Sequence, residues 1–364
     1  MARGGLPTLL MASVLLVTAS GCTGADDPER TPPESHEAPI AAASPSESPA
    51  WSLDDVRVDR VPPEPARATS ALPASFPADD AALPDLLADP PGRARLAYHP
   101  RETFDDRDGW ADERVFFLGT DGTWRSLEMA DLALPESAHP GPDTYGAGDL
   151  SPDGTRWAAK TNDGIVLLDL SSGVARVVTL PGRFTNYLAW RPDGRRLSVM
   201  RYGGSPTYRT WTVDPRSLSS VPAPYRLPLD GYAPDGTVHT YDRAASGSIH
   251  VVHRGRTGEA RMVPIPHRIT RLGAVVGPSR TMFGLRPGVV VVDNHTSAPV
   301  ARLRAGVGFP RGWLDDDSLF FYDETRGLLV WDVTSGAVGT LTRVRPGTRP
   351  DSYWTASVAV DLMR

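Results

Sequence analysis

The sequence predicts an all-β fold, a six-bladed β-propeller closed by its C-terminal strand, and three observations carry that prediction. A Pro-Asp-Gly turn recurs in Leu150-Ser-Pro-Asp-Gly154, Ala189-Trp-Arg-Pro-Asp-Gly194 and Tyr232-Ala-Pro-Asp-Gly236, which sets Asp153, Asp193 and Asp235 apart by 40 and 42 residues. That period is one small antiparallel sheet per unit, and such units stack as blades. Short apolar runs punctuated by turn residues fill each unit. Finally, the first unit lacks a leading strand, while the chain ends on an orphan one, Trp354-Thr-Ala-Ser-Val-Ala-Val360. A ring must remove its open edges, and pairing the last strand with the first unit does so.

The elements follow in order. In the first unit Arg95–Tyr98, Val115–Leu118 and Trp124–Leu127 match the second, third and fourth strands of a blade. The clearest unit runs from 149 to 180: strands Arg156–Lys160, Ile165–Leu170 and Val174–Leu180 alternate with turns at 161–164 and 171–173. Asn162-Asp-Gly and Ser172-Gly supply the positive φ that tight hairpins need. Next come Leu188–Trp190, Arg195–Met200, Arg209–Asp214 and Leu218–Val221, then Thr237–Tyr241, Ser248–Val252 and Ala260–Val263. The fifth unit degenerates at its turn to Gly277-Pro-Ser-Arg280 but keeps Val289–Asp293 and Val300–Leu303. The sixth has Leu314-Asp-Asp-Asp317, Ser318–Tyr322, Leu328–Asp332 and Thr340–Val344. Seven blades, with residues 50–90 contributing, is the alternative count. Asp153, Asp193 and Asp235 are expected to brace their own turns.

Over residues 93–362 these turns and strands resemble the WD-repeat-like and TolB-like propellers of bacterial envelopes, whose hallmark is Ser-Pro-Asp-Gly before an apolar strand. The resemblance implies architecture and leaves activity open, because propellers host enzymes and docking platforms alike.

The N-terminus reads as a targeting segment over residues 1–21: Arg3, an apolar core from Leu6 to Val17, and a small-residue exit ending at Cys22. An apolar run of about a dozen residues is too short to span a bilayer as a helix. Cys22 is the one cysteine and cannot join an internal disulfide. The segment resembles the lipobox of bacterial lipoproteins, with Ala19 where leucine is usual, which implies lipidation of Cys22 and residence on the extracytoplasmic face of the cell membrane. Residues 22–90 are rich in Pro, Ala, Ser and acids and read as a mostly disordered tether. One island, Trp51 to Val58, alternates as a strand that docks on the body, which is assigned to residues 91–364.

Charge separates these parts. Residues 23–90 hold 14 acidic side chains against 4 arginines, a net of −10, and the whole chain is at −6, so with Arg3 counted the body carries +3. Neither value points to nucleic acid. Lys160 is the one lysine among 38 basic residues.

Chemistry is sparse. His250 and His253 are three apart and fall on opposite faces of a strand, and His36, His99, His139, His239, His267 and His295 are scattered without ligand spacing. No nucleophile elbow, zinc-protease helix or phosphate loop appears. Asp106, Asp108 and Asp112 form an oxygen-rich calcium candidate, but Phe104 stands where the first ligand belongs, and the segment reads as a solvated hairpin loop. Ser151–Trp157 and Thr120–Trp124 are similar to the Asp-box turns of sialidase-type propellers but lack the spacer before glycine, and such boxes are structural. No cofactor is expected.

One pattern suggests binding. Five of the six connections between blades carry an arginine, Arg183, Arg226, Arg268, Arg311 and Arg349, and His139 stands in the first. With Phe184, Tyr187, Tyr225, Phe309 and Tyr353 nearby, they describe a basic, aromatic rim suited to a carboxylate, a phosphate-bearing polymer or an acidic peptide. The sequence therefore predicts a monomeric, lipid-anchored platform that docks an envelope protein or an anionic ligand. The rival reading is a propeller enzyme acting on a glycan or peptide at the same mouth.

Overall fold

The computed structural model describes residues 56–78, 81–102, 114–135, 148–183, 185–202, 208–223, 229–232, 238–243, 249–254, 260–265, 274–277, 279–284, 288–296, 298–304, 308–323, 325–344 and 353–363. Two short strands come first, β1 (Val58–Arg60) and β2 (Ala66–Arg67), then β3 (Ala94–Glu102), β4 (Arg114–Gly119) and β5 (Trp124–Glu128). Four-stranded units follow: β6 (Asp149–Leu150), β7 (Arg156–Lys160), β8 (Gly164–Asp169) and β9 (Val174–Thr179), then β10 (Thr185–Trp190), β11 (Leu197–Tyr202), β12 (Tyr208–Val213) and β13 (Ser220–Pro222). The next is β14 (Leu229–Tyr232), β15 (Val238–Arg243), β16 (Ile249–Arg254) and β17 (Ala260–Ile265). The last two are β18 (Ala274–Val276), β19 (Arg280–Gly284), β20 (Val289–Asp293), β21 (Pro299–Arg304), and β22 (Gly308–Trp313), β23 (Ser318–Asp323), β24 (Gly327–Asp332), β25 (Val338–Thr342). The final strand is β26 (Tyr353–Val358).

The architecture is an all-β propeller. Among the described residues five blades consist of four consecutive strands, where the sequence predicts six blades with the first completed by the C-terminal strand. The remaining sheet is composite: β26 enters from the far end of the chain and pairs antiparallel with β3, Val358 opposite Leu96 and Ser357 opposite Ala97, giving the order β26-β3-β4-β5. The first strands of successive blades lie side by side, β6 with β10, β10 with β14, β14 with β18, β18 with β22, and β26 touches β6. They form the inner wall.

Apolar wedges between sheets hold the ring together. Phe117, Leu127 and Ala97 of the composite sheet pack on Trp157, Val166 and Leu168, with Phe117 edge-on to Trp157 at 5.6 Å between ring centres. Leu96, Tyr98, Phe116 and Val358 meet Phe320, Tyr322 and Leu328 on the other side. Further wedges join β6–β9 to β10–β13 and β18–β21 to β22–β25. Two-sided burial explains why the strands read as near-continuous apolar runs rather than alternating ones.

The assignment of residues 22–90 to a tether needs correction over its described part. From Val56 onward the chain is a belt lying on the outer strands. β1 pairs parallel with β21, and β2 pairs parallel with β25. Phe76 N–H donates to the Arg343 carbonyl at 2.9 Å, and Leu86 N–H to that of Ser126 at 2.8 Å. Leu72, Phe76 and Leu86 are buried, and Phe76 stacks on Tyr98 at 4.1 Å. The composition is poor in apolar residues, but the few present fall where the ring leaves wedges open, and the outer strands supply backbone partners.

The turns behave as expected where they are described. The Asp153 carboxylate accepts from Ser151 Oγ at 2.6 Å, Thr155 N–H at 3.1 Å and Thr155 Oγ at 2.9 Å, and Asp193 accepts from Arg195 N–H at 2.9 Å. Asp235 lies outside the described residues. Gly154 has φ of +69°, and a Cβ there would sit 2.3 Å from the Ala94 carbonyl oxygen. A second set of aspartates closes the third-to-fourth-strand turns: Asp169, Asp214, Asp293 and Asp332 each accept from two backbone N–H groups two and three residues ahead.

Candidate functional site

Of the proposed rim, Arg183 and Arg311 fall on described positions and both are exposed. Arg226, Arg268, Arg349, Phe184 and Tyr225 lie outside the described residues, as do Cys22, His139, Asp106, Asp108 and Asp112. Phe309 is in β22, paired with Tyr322, and Tyr353 begins β26 opposite Glu102.

Arg183 sits between β9 and β10, and its backbone N–H donates to the Tyr202 carbonyl at 2.8 Å. Beneath it lies Arg201, fully buried at the end of β11. The Arg201 guanidinium donates to the carbonyls of Gly182 at 2.9 Å and Arg183 at 2.8 Å, and also to those of Leu180 and Asn162. One cation thereby gathers the β7–β8 turn and the β9–β10 connection into a rigid corner under Arg183. Burial pushes the Arg201 pKa down, and the nearby Asp163 charge opposes that.

Arg311 is exposed for a different reason. In the β22–β23 ladder Pro310 faces Phe321 and Gly312 faces Phe320, so Arg311 is the extra residue of a bulge. Its guanidinium lies 4.4 Å from the centre of the Tyr322 ring and donates to the Tyr322 hydroxyl. The bulge explains why a residue inside a strand faces outward; no sequence period shows it.

Three further residues join Arg311. Asp149 opens β6, and burial raises its carboxyl pKa, an effect held back first by the Arg311 charge, then by the Lys160 charge and by a hydrogen bond from Ser357. Ser357 Oγ also accepts from the Leu150 N–H at 2.7 Å, which orients the hydroxyl toward the carboxylate. The Asp149 backbone carbonyl accepts from Trp190 Nε1 at 3.0 Å. Asp149 thus stands where β22–β25, the composite sheet, β6–β9 and β10–β13 come together. Sequence reasoning missed Asp149, Ser357 and Arg201. Lys160, conspicuous as the lone lysine, was the one available signal.

The arrangement presents exposed cations at Arg183 and Arg311 and, among the described residues, one perturbed carboxylate at the inner wall, Asp149. The histidines also differ from expectation: the β15–β16 register sets His239 directly opposite His253. Among the described residues no group of three His, Cys, Asp or Glu is placed to hold a metal ion.

The sheet topology defines the protein as a β-propeller. It is similar to TolB from Acinetobacter baumannii, at 15% identity and a TM-score of 0.45 over 70% of this chain and 64% of that one. Similar too are the dihydro-heme d1 dehydrogenase NirN in complex with DHE, at 19% identity and 0.41 over 83% and 61% of the two chains, and the β-propeller domain of the Trilobed protease from Pyrococcus furiosus, at 13% and 0.40 over 60% and 72%. The chain spans 64% and 61% of the first two, under two thirds of each. No family model matches the chain, and no curated protein matches it.

Proposed function

We propose that this protein is a docking platform: a propeller of six sheets, with the composite sheet as the closing blade, held on the extracytoplasmic face of the cell membrane by lipid on Cys22. It binds an envelope protein or another anionic component at the mouth where Arg183 and Arg311 stand. The observation that carries this reading is that both arginines are exposed while the fold fixes the backbone of each, one through the Arg201 corner and the other through a bulge. A cation presented on a rigid frame loses little entropy on binding an anion. A tethered platform also raises the local concentration of its partner at the membrane.

The test is site-specific photocrosslinking from position 183 in intact cells, followed by mass spectrometry. A discrete partner, lost in Arg311→Glu and in the unanchored Cys22→Ala chain, supports the platform. A folded, membrane-bound chain that crosslinks nothing, or crosslinks equally well after Arg311→Glu, overturns it.

A further inference from the structure

The outer strands of the sheets, β5, β9, β13, β17, β21 and β25, are not finished alike. Three of them take the belt. Arg302 of β21 donates its N–H to the Arg57 carbonyl at 2.8 Å, the Thr340 carbonyl of β25 accepts from Ala68 N–H at 2.9 Å, and Ser126 of β5 donates to the Pro84 carbonyl at 2.9 Å. Two others carry a proline, Pro222 of β13 opposite Trp211 and Pro264 of β17 opposite His250. Proline has no N–H to offer an added strand, so it blunts an edge. Among the described residues β9 alone has neither belt nor proline.

The register shows what β9 offers. Leu180 N–H donates to the Asp163 carbonyl at 2.8 Å, so Gly164 and Thr179 form a pair without mutual hydrogen bonds, and the pairs alternate from there. Val174, Arg176 and Val178 therefore turn their backbone groups toward β8. Ala175, Val177 and Thr179 turn theirs outward, where they meet no backbone partner among the described residues. Such an edge is a template for an extended segment.

The two faces of β9 differ in chemistry. Ala175 packs in the wedge that holds Leu86 and Leu87, where the belt ends before turning inward at Gly92. On the opposite face Val174 is 47% exposed, and Arg176 is exposed without an acidic partner among the described residues. On β5 the equivalent need is met, because Arg125 donates to Asp89 of the belt at 3.0 Å.

We propose that β9 is a docking edge for an extended segment of a partner protein in which acidic and apolar residues alternate. The backbone of that segment pairs with Ala175, Val177 and Thr179. Its apolar side chains continue the wedge begun by Leu86 and Leu87, and its acidic side chains face Arg176. A second copy of this chain fits worse, because pairing β9 with itself brings like-charged Arg176 side chains together. The proposal does not rest on what Arg183 and Arg311 bind.

Fluorescence anisotropy on the full chain, with a short labelled peptide of alternating glutamate and valine, tests it. Arg176→Glu is expected to weaken binding at least about tenfold, and so is Val177→Pro, which removes an outward N–H and spares the ladder to β8. Methylating the peptide amides along one edge should abolish binding. No binding at about 1 mM peptide, or binding that survives Arg176→Glu or methylation of either edge, overturns the proposal. If Val177→Pro unfolds the chain, Arg176→Glu and the methylated peptides decide the matter.

Discussion

Trp190 Nε1 donates to the backbone carbonyl of Asp149 at 3.0 Å, a bond from the last residue of one inner strand to the first residue of the inner strand before it. Trp313 repeats it with Val275 at 3.0 Å. A tryptophan ending β10 or β22 therefore locks neighbouring blades together at the inner wall, and it does so on the residue whose carboxyl meets the basic cluster.

Replacing Trp190 with Phe keeps most of the apolar area but leaves the Asp149 carbonyl without its indole donor. The expected loss is about 1–2 kcal/mol by denaturant unfolding. Trp211 is the control: its indole nitrogen is buried without a hydrogen-bond partner, so Trp211→Phe should cost less.

Asp149 gives a pH prediction with a definite sign. Burial raises its folded pKa above the ordinary 3.8, so the folded state binds the extra proton in the window just above 3.8. Stability tied to this group is greatest below that window and falls as pH rises through it. Asp149→Asn retains an acceptor for Ser357 and removes the buried charge. Its melting temperature should exceed that of the unaltered protein at neutral pH, and the gap should close on acidification toward pH 3.8.

Arg201→Met removes four carbonyl contacts at once while filling similar space. With several buried acceptors left unmatched, the expected destabilisation is at least about 3 kcal/mol. Arg183 loses its support as well. The anion binding proposed for the mouth should weaken in Arg201→Met even under conditions where the fold is intact by circular dichroism.

Arg125 is buried and donates to Asp121 at 2.9 Å and to Asp89 of the belt at 3.0 Å. The Arg125 guanidinium, first of all, holds the Asp121 carboxyl down at about 2. A lowered carboxyl contributes stability above its unfolded value of 3.8 that is lost as pH falls from there toward 2. Asp121 is half exposed, so solvent screening limits the contribution to below about 1 kcal/mol. Asp121→Asn should show that small deficit at pH 6, less of it at pH 2 and none once the pH is well below 2, while Arg125→Met should also free the belt near Asp89, read as new proteolysis between residues 81 and 92.

Much of the propeller was legible because its signals are local. The Pro-Asp-Gly turns announced the β6–β7 and β10–β11 corners, and Asp153 and Asp193 brace them as their side-chain chemistry requires. The orphan strand at 354–360 pointed to closure, which β26 supplies by pairing with β3. The belt was illegible in composition, since a Pro-rich acidic stretch orders only where outer strands offer backbone partners and wedges accept Leu72, Phe76 and Leu86. The exposure of Arg183 follows from its place between β9 and β10, whereas that of Arg311 comes from a bulge that no periodicity records.

The sequence by itself determined the repeat, the turn chemistry and the strand content, because each depends on residues within a few positions of one another. Tertiary structure alone decided that residues 56–78 and 81–90 lie along the outer strands, with β1 on β21 and β2 on β25. It alone brought Asp149, Lys160, Arg311 and Ser357 together. Those contacts join residues up to 208 positions apart, from Asp149 to Ser357, and only the geometry of ring closure determines which of them meet.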